Sequence, residues 1–209
     1  MNNSKNIECL LIDLDGVINI TEKDGKYIWK ETREKDLGIK GEIIDEFFIN
    51  SWKPVVLGQI SMEKQLSNHL KQYNLENRTS DIIQYFIEKN SNIDNKIFTF
   101  LQKIKLPLYL ASDLNQERLD YYWNELKLKN LFKGKFISCE LGVKKSKKEF
   151  FEKVVETTNI KPEKILFIDD DEKNTITAKE CGLKAHFYKS YDNADNLIFK
   201  DLIWNKYLY

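Results

Sequence analysis

Cys9-Leu10-Leu11-Ile12-Asp13-Leu14-Asp15-Gly16 is an apolar run that stops abruptly at two carboxylates two residues apart and a glycine. A run this short, bounded by a turn residue, suits a strand covered on both faces in a parallel sheet. Open α/β sheets bind ligands beyond the carboxyl ends of their strands, which puts Asp13 and Asp15 at the mouth of a crevice. Like charges that close together demand a divalent cation, a shared proton or a basic neighbour.

The same grammar recurs later in the chain. Leu106 to Ala111, Lys135 to Ser138, Lys164 to Ile168 and Ala185 to Tyr188 read as strands, separated by helical stretches over Gln116 to Leu126, from Ser146 onward and over Asn174 to Cys181. Ser146 with Glu149 has the form of a capping box opening its helix, and Gly182 is placed to end the last one. Between the first and second of these strands the pattern changes. Lys23-Asp24-Gly25-Lys26 is a hairpin signal, and the stretch after it carries stripes such as Ile44, Phe47 and Phe48, then Met62, Leu66 and Leu70, then Ile82, Ile83 and Phe86. The expected fold is therefore α/β, a Rossmann-like doubly wound parallel sheet with a small α-helical domain inserted after its first strand. Residues 1–16 and 92–209 form the core, and 17–91 the hairpin flap and helical insert.

Composition removes several function classes. The 209 residues carry 33 basic and 33 acidic side chains, so no net charge favours a nucleic-acid polymer or an anionic membrane as partner. No run approaches the length of a membrane span, and no charged then apolar leader opens the chain, so a cytoplasmic location is expected. Cys9, Cys139 and Cys181 are widely spaced and odd in number, which suits reduced thiols, and they lack metal-ligand spacing. His69 and His186 belong to no reactive pattern, and Trp29, Trp52 and Trp123 read first as packing residues, with Trp52 or Trp29 facing the substrate from the insert as the alternative.

In a parallel sheet all carboxyl ends point one way, so groups distant in sequence converge. Asp13 and Asp15, then Ser112 and Asp113, then Lys144 and Lys145, then Asp169, Asp170 and Asp171 would meet at one edge. This set fits phosphoryl transfer, whose uncatalysed rates are so low that enzymes supply enhancements up to the order of 10²¹. A carboxylate attacks phosphorus, a cation offsets its repulsion from the phosphate, and a second carboxylate moves protons. Oxygen donors without histidine or cysteine suit magnesium. Ser112 and nearby backbone amides would orient phosphate oxygens, and a lysine would neutralise another face.

Four segments in this order resemble the haloacid dehalogenase superfamily: Asp13-Leu14-Asp15-Gly16-Val17, Leu108 to Ser112, Ser138 to Lys145, and Ile165 to Asp170. Gly58-Gln59-Ile60-Ser61 followed by Met62-Glu63-Lys64 looks like the cap signature of the subfamily that includes the soluble epoxide hydrolase amino-terminal phosphatase and glucose-1-phosphate phosphatase-like proteins. The resemblance implies that Asp13 is nucleophile and metal ligand. It implies that Asp15 is the acid/base and lends its backbone carbonyl to the metal, and that Asp170 completes the protein ligands with Asp169 in support. It selects Lys145 over Lys144 as the phosphate lysine and places Ser112 and Asp113 at the substrate. Asp113 stands where asparagine is common, Ser146 where proline is usual, and Asn174 where some relatives carry an acid.

The expected activity is a magnesium-dependent phosphatase acting on a small phosphorylated metabolite, a sugar phosphate or a nucleotide, through an aspartyl phosphate. A phosphomutase of the β-phosphoglucomutase type is the alternative, since it uses the same intermediate. Dehalogenation fits less well because Asp15 and the acidic pair are retained, and a non-catalytic protein that binds a phosphorylated ligand fits less well for the same reason.

Overall fold

The computed structural model describes residues 7–188. The opening apolar run forms β1 (Cys9–Ile12), followed by a ribbon of β2 (Glu22–Lys23) and β3 (Lys26–Tyr27). Five helices come next: α1 (Arg33–Leu37), α2 (Gly41–Asn50), α3 (Trp52–Val56), α4 (Met62–Leu70) and α5 (Thr79–Lys89). Helix α6 (Asn95–Leu101) leads back to β4 (Leu108–Ser112), then α7 (Gln116–Asp120), β5 (Gly134–Ile137), α8 (Ser138–Leu141) and α9 (Lys148–Thr158). The described chain closes with β6 (Ile165–Asp169), α10 (Glu172–Glu180) and β7 (Lys184–Phe187).

Five strands pair in parallel in the order β5-β4-β1-β6-β7, with β1 at the centre. The continuous apolar character of β1, β4 and β6 follows from cover on both faces, and every residue of these three strands is buried. Leu10 and Ile12 of β1 point to a layer containing Phe100, Leu119 and Tyr122, while Cys9 and Leu11 point to Phe150, Phe151 and Val154 of α9 and Ala178 of α10. The fold is thus a Rossmann-like doubly wound sheet, as the alternation of apolar runs and helical stripes implies.

The helices between β1 and β4 bury a separate core that includes Trp29, Ile44, Phe47, Leu66 and Phe86. In the ribbon turn, Asp24 and Gly25 both have positive φ, 51° and 71°, the backbone that a two-residue hairpin of this hand requires. Several polar groups stitch this helical insert to the sheet domain. Asn19 donates to the Asn90 carbonyl at 2.8 Å and accepts from the Asn92 amide at 2.6 Å, tying the outgoing chain to the returning one. Glu117 on α7 accepts from the Met62 amide at 2.9 Å, and Ser138 donates to the Val56 carbonyl at 2.7 Å.

Two local expectations need correction. The capping box at Ser146 does not form: α9 starts at Lys148, with Lys147 at its N-cap and no side-chain cap bond. Residues 144–147 are spent on a turn, closed by Lys147 N–H to the Lys144 carbonyl at 3.0 Å, which directs Lys145 inward and leaves Ser146 a turn too early. The helix expected over Gln116 to Leu126 is α-helical only to Asp120 and widens into a π turn over Tyr121–Glu125. Among the described residues the three thiols are unpaired and no helix is long and apolar enough to cross a membrane. Residues 1–6 and 189–209 of the expected core segments lie outside the described residues.

Candidate active site

The carboxyl edge of the sheet gathers its polar groups where the strands stop. Asp13 follows β1, Ser112 ends β4 and Asp169 ends β6, all three buried. Lys145 arrives from the turn before α9 and is itself buried. Its ammonium lies 2.6 Å from Asp13 Oδ2 and 2.7 Å from Asp169 Oδ2, so one cation bridges two carboxylates. Burial alone would lower the Lys145 pKa, but Asp13 and Asp169 outweigh it and raise it, so the ammonium stays charged. The remaining Asp13 oxygen accepts from the Leu14 amide at 2.7 Å.

Asp13, Asp169 and Asp170 bring ligand oxygens within 4.8 Å of one another, a group able to hold a metal ion. Burial pushes the Asp13 carboxyl well above the usual range despite Lys145, with Asp169 and Asp170 adding to the rise. Asp170 keeps an edge open to solvent, yet burial, followed by the charge on Asp169, pushes it up to about 7. With Asp13 and Asp170 raised, the site releases protons when a cation enters, and its donor set is hard oxygen throughout. Asp169 is the best-held member: it also accepts from the Asp171 amide at 2.7 Å and from the Asn174 side-chain amide at 3.2 and 3.3 Å.

Asp15 faces a different environment. Arg118 on α7 donates to both its oxygens, at 2.7 and 2.8 Å, and Asn19 donates to Oδ1 at 2.8 Å. Burial would raise the Asp15 pKa, but the guanidinium outweighs burial and the carboxyl is lowered. Arg118 is in turn held by the Tyr122 hydroxyl at 3.1 Å, which donates to the Asn90 carbonyl at 2.9 Å. The π turn after α7 carries Tyr122 into this network.

Asp13, Asp15, Arg118, Lys145 and Asp170 floor a cavity of about 460 Å³. Ser112 and Asp113 line it, and Asp113 accepts from the Lys145 amide at 3.1 Å with the Lys144 ammonium 3.6 Å away. Asp171 lines it too, while also capping α10 through the Lys173 amide. The opposite wall comes from the helical insert: Trp29, Phe48, Trp52 and Phe86. Trp29 and Trp52 thus line the cavity, as the alternative reading of them has it, while Trp123 packs against the sheet layer. His69 sits in the insert, 2.8 Å from the Ile43 carbonyl, and His186 is on β7.

Arg118 and Asn19 are not among the residues that the sequence pattern marks, and Phe48 and Phe86 read there only as stripe residues of the insert. One signal did exist for Arg118: it sits four residues before Tyr122 and next to Leu119, on the apolar stripe of its helix, where an arginine is unexpected unless paired.

A family model described as haloacid dehalogenase-like hydrolase matches residues 7–182. Among curated proteins the chain is 23% identical over 149 residues to drimenol cyclase drtB from Aspergillus calidoustus, covering 68% of this chain and 28% of that protein. The chain thus spans under a third of that relative's length. Among solved structures, a HAD family enzyme from Bacteroides thetaiotaomicron, in complex with magnesium and inorganic phosphate, superposes with a TM-score of 0.77 at 23% identity over 91% of this chain and 98% of that one. The L-2-haloacid dehalogenase from Xanthobacter autotrophicus matches with a TM-score of 0.64 at 15% identity over 94% and 82%. At these identities the structural matches establish a shared fold.

Proposed function

Since the chain belongs to the haloacid dehalogenase-like hydrolase family, we propose that it is a magnesium-dependent phosphatase of a small phosphorylated metabolite, a sugar phosphate or a nucleotide. The observation that carries this reading is Lys145 bridging Asp13 and Asp169 beside Asp170, at 2.6 and 2.7 Å. A cation among three carboxylates matches the charge pattern needed to bring a phosphate dianion against a carboxylate nucleophile. The magnesium and phosphate bound by the Bacteroides enzyme support the same reading.

Asp13 attacks phosphorus, forming an acyl phosphate as the bond to the leaving oxygen breaks. The protonated fraction of Asp15, which Arg118 keeps small, gives its proton to that leaving oxygen; the resulting carboxylate takes one from the water that attacks the acyl phosphate, which restores the Asp15 proton, regenerates Asp13 and frees inorganic phosphate. Asp13, Asp170 and the Asp15 backbone carbonyl hold magnesium, with Asp169 supporting; when bound, the ion offsets the charge between phosphate and nucleophile. Ser112 orients a phosphate oxygen, Asp113 positions the Lys145 backbone beside it, and Lys145 neutralises a second face. The helices of residues 17–91 act as a cap that closes over the cavity and excludes water.

The test is a panel of phosphorylated metabolites assayed for phosphate release with magnesium and with chelator. Release that requires magnesium and vanishes in Asp13→Asn supports the reading. An isomerised sugar phosphate with little free phosphate would make the protein a mutase. Halide release from a 2-haloacid that survives chelation would make it a dehalogenase.

A further inference from the structure

Four rings of the helical insert line the cavity opposite the carboxylates, and Thr21, Glu22, Tyr27 and Asn90 line it as well. Trp29, Phe48, Trp52 and Phe86 line the cavity and pack on one another, with centroids 5.1 Å apart for Trp29 and Phe48, 5.0 Å for Phe48 and Trp52, and 4.9 Å for Phe48 and Phe86. Trp29 and Phe86 are buried in this cluster, while Phe48 and Trp52 keep part of their surface open. The ring cluster itself offers dispersion and stacking to a flat group, while hydrogen bonds to the rest of the alcohol would come from Thr21, Glu22, Tyr27 and Asn90.

Charge narrows the choice further. Among the described residues, each cation lining the cavity has a carboxylate partner: Lys145 has Asp13 and Asp169, Arg118 has Asp15, and Lys30 has Asp45 at 2.6 Å. Carboxylates outnumber cations around the cavity, so a second anionic group on the substrate would meet repulsion without a counter-charge. A cationic head group is disfavoured at the rings, because the Lys30 ammonium and the Arg33 guanidinium lie 5.5 and 5.3 Å from the Trp29 ring and the Arg118 guanidinium 5.5 Å from the Phe86 ring.

Deepening the phosphatase reading on which it rests, we infer that the substrate is a phosphate monoester whose alcohol carries a neutral, flat aromatic group and no second anion. The phosphoryl group enters the carboxylate floor and the flat group lies against Phe48 and Trp52. Within the metabolites considered above, this favours a nucleoside monophosphate over a sugar phosphate.

The test separates binding from turnover. Affinity for benzylphosphonate, which cannot be hydrolysed, is compared with methylphosphonate by tryptophan fluorescence in the presence of magnesium. The expected result is that benzylphosphonate binds at least about tenfold more tightly, and that this ratio collapses toward one in both Trp52→Ala and Phe48→Leu while Trp52→Phe keeps most of it. In turnover, benzyl phosphate and a nucleoside 5′-monophosphate should exceed glucose 6-phosphate in kcat/KM by a similar factor. All three are primary alkyl esters, so the leaving-group chemistry is comparable. Equal affinity for the two phosphonates overturns the inference even if phosphate esters are hydrolysed. Tight benzylphosphonate binding without hydrolysis of any ester would retain the aromatic pocket and overturn the phosphatase reading.

Discussion

Arg118 grips both carboxylate oxygens of Asp15, at 2.7 and 2.8 Å, from a helix more than a hundred residues away in sequence. The guanidinium is almost wholly buried, whereas the Asp15 side chain is 30% exposed toward the cavity. An arginine fork fixes a carboxylate plane as well as its charge. Arg118 thus orients the group assigned to proton transfer and favours its carboxylate form, the state that takes a proton from the attacking water.

Replacing Arg118 by Met should therefore do two things. Stability falls by about 3 kcal/mol, because the variant leaves a partly buried carboxylate without its partner. The Asp15 pKa rises, so the basic limb of the kcat/KM profile, set by loss of its proton, moves to higher pH. Arg118→Lys keeps the charge but loses the fork, and its profile should fall between the two. Chemical denaturation and pH-rate profiles check both, and an unmoved profile would reduce Arg118 to a packing residue.

Lys145 and Lys144 are neighbours with opposite surroundings. Lys145 is buried between Asp13 and Asp169, whereas the Lys144 side chain is 43% exposed beside Asp113. Lys145→Met should lower kcat by about 10²–10³, as expected when a group aimed at developing charge is lost. Lys144→Met should change it by less than about threefold, since an exposed ion pair contributes little. Steady-state kinetics on one substrate decides.

Gly16 has φ +76°, and a methyl group there would overlap the Asp170 carboxylate. Gly16→Ala should displace Asp170 and raise the magnesium concentration needed for half-maximal activity by about tenfold, a loss typical of a disturbed ligand shell. Gly25→Ala is the control, because its φ of +71° imposes a similar backbone strain while open space surrounds the added methyl. It should cost about 1–2 kcal/mol of stability and leave the magnesium titration unchanged.

Asp170 gives a pH dependence whose sign is determined. Its folded-state pKa is raised to about 7, so in metal-free protein its stabilising contribution is complete below the ordinary carboxylate range of about 4 and is lost as pH rises through 7. Asp13, raised by burial, works in the same direction. Asp15, lowered by Arg118, works in the opposite one, and its contribution is lost as pH falls below about 4. Magnesium should therefore raise Tm more at about pH 8 than at about pH 5.5, where protons compete for the same oxygens. Asp170→Asn should flatten that difference, and thermal melts at both pH values with and without magnesium measure it.

The fold was legible because its signals are local. Short apolar runs covered on two faces, the Asp24-Gly25 turn and the stripes of the insert each report their own neighbourhood, and the parallel sheet then brings the strand ends of Asp13, Ser112 and Asp169 to one edge. What escaped the sequence lies between elements. The pairing of Arg118 with Asp15 depends on how α7 rotates against the sheet, and the Phe48 and Trp52 wall depends on which flank of the insert turns toward it. Periodicity marks an apolar side chain as buried or stacked without saying which surface it meets. The capping box at Ser146 failed for a related reason, since the turn that points Lys145 inward uses the same residues.

The central claim is that Asp13 becomes the acyl phosphate during turnover. Rapid acid quench of protein mixed with magnesium and a hydrolysed monoester, followed by peptide mass spectrometry, tests it most directly. One added phosphoryl group, labile to base, is expected on the peptide containing Asp13, and none in Asp13→Asn. Turnover of the ester with no phosphoryl group on that peptide, or undiminished turnover in Asp13→Asn, would contradict it.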